Sequence, residues 1–124
     1  MNNSLFQKPK KTNREDLLEK AKKEGKIVIT DGRIQYIGAK GSNEQNYSDP
    51  EEKVRALVYT ELIYSYEYDP GDIYIELPIK LQPSDKFADI AIFYSSDKNK
   101  IFAIIECKKE NASRKEKDKT INDQ

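Results

Sequence analysis

The chain has 124 residues, enough for one domain with a modest core, and its 22 basic residues balance its 22 acidic ones. Neutrality argues against an autonomous nucleic-acid binder but leaves room for a catalytic module that other domains bring to its substrate. It has no histidine and one cysteine, Cys107, which excludes Ser-His and Cys-His catalysis, most transition-metal sites and any intramolecular disulfide.

The first 11 residues, MNNSLFQKPKK, hold no apolar leader, and no run approaches the roughly 20 apolar residues of a membrane span. A cytoplasmic, reducing environment without membrane contact is the expectation. Residues 1–12 are polar and basic and are expected to be disordered, ahead of a single domain over 13–124. NREDLLEKAKKEG reads as a short helix, with Asn13 as N-cap and Gly25 just past its end. KIVITDGRIQYIG is a hairpin whose two apolar runs meet at Asp31-Gly32, a pair suited to a type I′ turn. AKGSNEQNYS reads as a linker.

DPEEKVRALVYTELIYSYEY predicts the main helix. Asp49 is its N-cap, Pro50 its first residue, and Glu52 completes a capping box. Val54, Leu57, Val58, Leu62 and Ser65 share one face. DPG at 69–71 is a turn. DIYIELPIK alternates as a strand with Ile73, Ile75, Leu77 and Ile79 on one side, and Pro78 points to an edge or a strand end. LQPSDK is a loop, FADIAIFY a second strand, SSDKNK a turn and KIFAIIECK a third strand. The charged tail has helical composition. The predicted fold is α/β (α+β): an N-terminal helix and β-hairpin, then a helix, a three-stranded mostly antiparallel sheet and the beginning of another helix.

The chemistry gathers at the exit of the third strand. Ile101 to Ile105 are apolar, and Glu106 and Lys108 follow on one face of the extended chain. Asp89 is embedded among Phe87, Ala88, Ile90 and Ala91 in the second strand, and hairpin pairing brings it near Glu106. Two carboxylates a few ångströms apart repel unless a divalent cation lies between them. Mg²⁺ is content with one or two carboxylates and several waters, and a lysine beside it can orient the water that hydrolyses a phosphodiester. The plainer alternative is a strand ending in solvated charge, with Asp89 paired to a lysine. Glu-x-Lys occurs three times, at Glu24, Glu51 and Glu106, but only the last closes an apolar strand.

Asp89 followed by Glu106-x-Lys108, with sixteen residues between the two acids, resembles the PD-(D/E)xK nuclease superfamily. The stretch from DPEEKVR through FADIAIFY to FAIIECKK is similar to the N-terminal nuclease domain of the R subunit of type I restriction enzymes. That resemblance implies a restriction-endonuclease-like core and Mg²⁺-dependent hydrolysis of DNA. It implies metal binding by Asp89, Glu106 and the Cys107 carbonyl, catalysis by Lys108, and support from an acidic residue on the main helix. Glu51 and Glu52 compete for that last role: a helical wheel favours Glu51, near the Val54, Val58 and Leu62 face and one turn from Arg55, with which it would pair, whereas Glu52 points away. The Cys107 side chain alternates to the face opposite Glu106 and reads as a small buried apolar group.

The implied partners are DNA and the methyltransferase and specificity subunits, with ATP only for a motor domain outside this chain. A Gln-x-x-x-Tyr motif commonly follows in the resembling family. Gln124 would begin it, so the sequence is expected to be a piece of a longer protein, partly helical from about residue 111 and weak in cleavage alone. Tyr59, Tyr64, Tyr66 and Tyr68 invite a base-stacking role, but helical spacing and turn placement favour packing or the surface. The six positive and three negative charges between Lys108 and Lys119 read as a solvated helix face before a phosphate contact. From another class, the competing function is a non-catalytic docking module on the same fold.

Overall fold

The computed structural model describes residues 13–80 and 85–108. The disorder expected of 1–12, most of the loop after the first main strand and the helical tail from 109 to Gln124 lie outside them.

Helix α1, Arg14–Lys23, begins where the Asn13 side chain accepts the Glu15 N–H. Acids in its first turn and lysines in its last complement the helix dipole, and Leu17, Leu18 and Ala21 are buried. Strands β1, Ile27–Thr30, and β2, Arg33–Tyr36, form the predicted antiparallel hairpin. Asp31 and Gly32 have φ of 54° and 76°, the signs a type I′ turn requires. Ile27, Ile34 and Tyr36 point into the core.

The segment read as a linker instead holds two short strands. β3, Lys40–Gly41, runs parallel to Tyr74 and Ile75 further along the chain, and β4, Glu44–Asn46, pairs antiparallel with β2. Their side chains are exposed apart from the half-buried Gln45. Backbone pairing rather than apolar alternation holds them, which is why the sequence pattern is silent there.

Helix α2, Pro50–Tyr64, starts as predicted: Asp49 Oδ1 accepts the Glu51 N–H at 3.0 Å and Pro50 opens the first turn. It stops at Ser65 rather than Tyr68, with Glu67 at φ 60° and the Tyr68 N–H bonded to the Leu62 carbonyl. Its buried stripe is Glu52, Arg55, Ala56, Tyr59, Thr60 and Leu62. Val54, Leu57 and Val58 are only half-buried and Ser65 is exposed, so the apolar wheel misplaces the inward face by part of a turn.

A 3₁₀ turn at Pro70–Asp72 leads into β5, Ile73–Lys80; β6, Asp85–Phe93; and β7, Ile101–Ile105. These form an antiparallel meander, and with β3 the sheet order is β3-β5-β6-β7. Register sets the faces. Ile73 pairs with Ile92, Ile75 with Ile90, and Ile90 with Ile105. These side chains join Ala56, Tyr59 and Leu62 of α2 and Tyr36 of the hairpin in one core. The opposite face carries Tyr74, Ala91 and Ile104 in register. Leu77 and Ile79 are less buried than Ile73 and Ile75, because β5 is interrupted at Glu76, where φ is 60°. Pro78 stands beyond the reach of β3, which pairs only with Tyr74 and Ile75, as an edge proline should. Before β7, the buried Asp72 accepts hydrogen bonds from Lys98 and Ser95, and the Lys98 bond first, then the Ser95 bond, lower its pKa. The β6–β7 turn is thereby tied to the start of β5.

Gly41 is where β3 closes on β5. A Cβ there would lie 2.3 Å from the Ile75 carbonyl oxygen and 2.6 Å from the Tyr74 ring, at φ +84°. Gly32 has a similar φ, +76°, but open space around it. Gly32→Ala is expected to cost about 1 kcal/mol through backbone conformation alone. Gly41→Ala should cost about 3 kcal/mol, because Ile75 must give way as well. Chemical denaturation of both variants checks this, and equal losses would contradict the close approach of β3 to β5.

Candidate active site

The site is built where β6 and β7 part. The Ile90↔Ile105 pair fixes the register, so one step on Asp89 and Glu106 occupy facing positions. β7 ends at Ile105, and the chain turns inward at the buried Cys107. Asp89 holds that turn: its Oδ2 accepts the Cys107 N–H at 2.7 Å. Glu106 and Lys108 flank Cys107 and are exposed, while Asp89 is half-buried.

The electrostatics reflect this crowding. The Glu106 pKa is raised by partial burial and by the negative charges of Asp89 and Glu51, against the opposing pull of Lys108 and Lys86. Burial, and then the Asp89 charge, push the Cys107 thiol up to about 12. The thiol is therefore protonated and buried, as expected of a small apolar group rather than a nucleophile.

Asp89 is also gripped from behind. The pairs Ile75↔Ile90 and Leu77↔Ala88 flank a gap at Glu76 and Asp89. Glu76 there adopts φ 60°, a conformation disfavoured for a residue with a Cβ. The Asp89 carbonyl accepts instead from Arg55 Nη1 of α2 at 2.9 Å. Arg55 Nη2 donates to Glu52 Oε1 at 2.6 Å and to Glu76 Oε2 at 3.0 Å, and Nε donates to Glu52 Oε2 at 3.1 Å. The Tyr36 hydroxyl of β2 donates to the same Glu52 oxygen. Burial works to lower the Arg55 pKa, but Glu52 and Glu76 outweigh it and leave the group more firmly charged than usual. Burial and the Glu52 carboxylate hold the Tyr36 hydroxyl well above its ordinary pKa.

Two expectations for α2 are corrected here. Glu52 does not point away or close a capping box; it is 4% exposed and takes its hydrogen bonds from Tyr36 and Arg55. Arg55 pairs with Glu52 rather than with Glu51. The apolar wheel missed this because a carboxylate can occupy an inward position when a buried guanidinium and a phenol meet it. Glu51 is exposed in the first turn of α2, with its charge felt at Glu106.

Asp89, Glu106, Cys107 and Lys108 thus come together where β7 ends beside the middle of β6, with Glu51 close enough for its charge to act on Glu106. Among the described residues, no group of three or more His, Cys, Asp or Glu side chains is gathered closely enough to cage a metal ion. A cation would have to rest on fewer carboxylates together with carbonyl oxygen and water, a coordination that suits Mg²⁺.

A family model described as the N-terminus of the type I restriction enzyme R protein matches residues 50–122. The chain belongs to that family. No curated protein and no solved structure matches it. The matched region begins with α2 and takes in β5, β6 and β7, and so includes Glu51, Asp89 and the Glu106–Lys108 segment that follows β7. The N-terminal helix and hairpin lie before it, although Tyr36 of that hairpin reaches into the same hydrogen-bond network. Sequence reasoning marks neither Tyr36 nor Glu76, and marks Arg55 only as a partner for Glu51. The available signal was the Glu52-x-x-Arg55 spacing, which puts both side chains on one helical face.

The two neighbouring glutamates separate cleanly by mutation. Glu52→Ala leaves the Arg55 charge short of its main partner and is expected to cost about 3–5 kcal/mol. Glu51→Ala should change stability by no more than about 0.5 kcal/mol. Urea denaturation of the two variants decides, and similar losses would contradict the inward placement of Glu52.

Proposed function

We propose that this domain is the endonuclease module of a type I restriction R subunit, hydrolysing phosphodiester bonds of foreign DNA with Mg²⁺ by PD-(D/E)xK chemistry. One observation carries the reading: the Asp89 carboxylate bonds to the Cys107 amide and so joins the aspartate strand to the Glu106-x-Lys108 exit.

The donor set fits a hard divalent cation. Asp89 and Glu106 offer carboxylate oxygens and Cys107 a carbonyl oxygen, and partial burial together with the Asp89 charge raises the Glu106 pKa. Asp89, Glu106 and the Cys107 carbonyl would hold the ion. Bound there, Mg²⁺ would supply Lewis acidity toward the phosphodiester. The remaining work belongs to side chains. Lys108, exposed and within electrostatic reach of Glu106, donates to the attacking water and offsets charge on the phosphate. Glu51 adds negative potential on the α2 side. Cys107 contributes no nucleophile, because its thiol stays protonated. Base readout lies elsewhere, since the balanced charge and the absence of a reading-helix motif give no basis for it in this chain. DNA is the substrate, and the methyltransferase and specificity subunits are the partners that deliver it. ATP serves only a motor domain outside this chain.

Calorimetric titration with Mn²⁺ and nicking of supercoiled plasmid, with EDTA controls, test the reading together. Wild type should bind the metal and nick in a metal-dependent way, weakly if cleavage needs a continuation of the chain. Asp89→Ala should lose metal binding. Lys108→Ala should keep metal binding and a melting temperature within a few degrees of wild type, yet lose nicking. Nicking retained by Lys108→Ala would remove that residue from the mechanism. No metal bound by either wild type or Asp89→Ala, with no nicking, would indicate a docking module instead.

A further inference from the structure

Resting on the nuclease reading above, we infer that Tyr36, Glu52 and Arg55 are positioning residues that set the backbone of Asp89, and that the end of β2, through Tyr36, is thereby part of the active-site scaffold. None of the three touches the reacting atoms in this account. Their effect passes through one atom, the Asp89 carbonyl oxygen.

The β5–β6 ladder pairs Ile75 with Ile90 and Leu77 with Ala88 but not Glu76 with Asp89. Glu76 is twisted into the left-handed region there. In regular antiparallel pairing, strand partners fix each backbone carbonyl; at Asp89 a guanidinium from α2 does so. Arg55 can serve in this place because its planar fork reaches three acceptors at once: the Glu52 carboxylate, the Glu76 carboxylate and the Asp89 carbonyl. Glu52 is in turn fixed by the Tyr36 hydroxyl, sixteen residues earlier on β2. The chain of bonds runs from Tyr36 to Glu52, to Arg55, to the Asp89 carbonyl. On the other side of the same residue, Asp89 Oδ2 holds the Cys107 N–H between Glu106 and Lys108. A loosened Asp89 backbone therefore misplaces its own carboxylate and relaxes the turn that presents the other two groups.

The gentlest perturbation is Tyr36→Phe, which keeps the ring against Tyr59 and removes one hydroxyl. Arg55→Lys keeps the charge but cannot span three acceptors. Both are compared with Gly32→Ala, which lowers stability in the hairpin turn without touching the network. Two readouts are taken on folded protein: Mn²⁺ affinity by calorimetry, and the amide proton shift of Cys107 by NMR in metal-free buffer. Arg55→Lys is expected to weaken Mn²⁺ binding about 10-fold or more, and Tyr36→Phe by several-fold, in line with other groups that orient metal ligands from behind. The Cys107 amide should move upfield in both as its bond to Asp89 lengthens, and neither readout should move in Gly32→Ala. If Arg55→Lys fails to fold, Tyr36→Phe decides alone. Unchanged affinity and an unmoved Cys107 amide in folded Tyr36→Phe would overturn the inference, as would equal shifts in Gly32→Ala. Absence of Mn²⁺ binding by wild type would defeat the nuclease reading but not this test, because the metal-free amide shift still reports whether the network sets Asp89.

Discussion

Arg55 carries a full positive charge into the space between α2 and the sheet, with its side chain 7% exposed. A guanidinium there is tolerated only if its donors are met. Glu52 takes two of its bonds, Glu76 a third and the Asp89 carbonyl a fourth. Much of the structure follows from meeting that demand. Glu52 must face inward, so the buried stripe of α2 holds two charged side chains at its N-terminal end. Tyr36 must bring its hydroxyl to Glu52, which docks the hairpin against α2. Glu76 must leave the ladder to reach the guanidinium, which accommodates a φ of 60° in mid-strand. Replacing a buried ion pair by apolar groups is often neutral or stabilising, so the network is better explained by the geometry it imposes on Asp89 than by stability.

The front of the site rests on a different balance. Partial burial and the nearby Asp89 charge raise the Glu106 pKa. The Cys107 amide neutralises part of the Asp89 charge by hydrogen bonding, and Lys108 and Lys86 offset Glu106. This is an arrangement short of positive charge at its centre, reached from solvent through Glu106 and Lys108. Membership of the R-protein N-terminal family gives that geometry its context.

The site groups on β6 and β7 were legible in the sequence because strands announce themselves by period-two alternation and a short turn fixes their register. Asp89 among apolar residues, and Glu106 at the end of an apolar run, could be expected near each other from hairpin pairing, while their roles came from the family resemblance rather than from the pattern. The helix starts at Asn13 and Asp49 and the Asp31-Gly32 turn were legible for the same local reason. What escaped depends on contacts distant in sequence. Whether Glu51 or Glu52 faces inward is decided by Tyr36 and Arg55, and hydropathy ranks both glutamates alike. β3 and β4 are two and three residues long and held by backbone pairing to β5 and β2, which leaves no side-chain pattern to read. The twist at Glu76 looks from sequence like uninterrupted alternation, since only the guanidinium beneath it shows why the ladder opens.

The proposed function requires Asp89, Glu106 and the backbone at Cys107 to form one cation site where β7 ends. Paramagnetic broadening by substoichiometric Mn²⁺ in an amide-resolved NMR spectrum tests it most directly. Selective loss of the signals of Asp89, Glu106, Cys107 and Lys108 is expected, with those around the Asp72–Lys98 pair at the far end of β5 and β6 left sharp. Uniform weak broadening, or selective loss around Asp72 with Cys107 untouched, would contradict it.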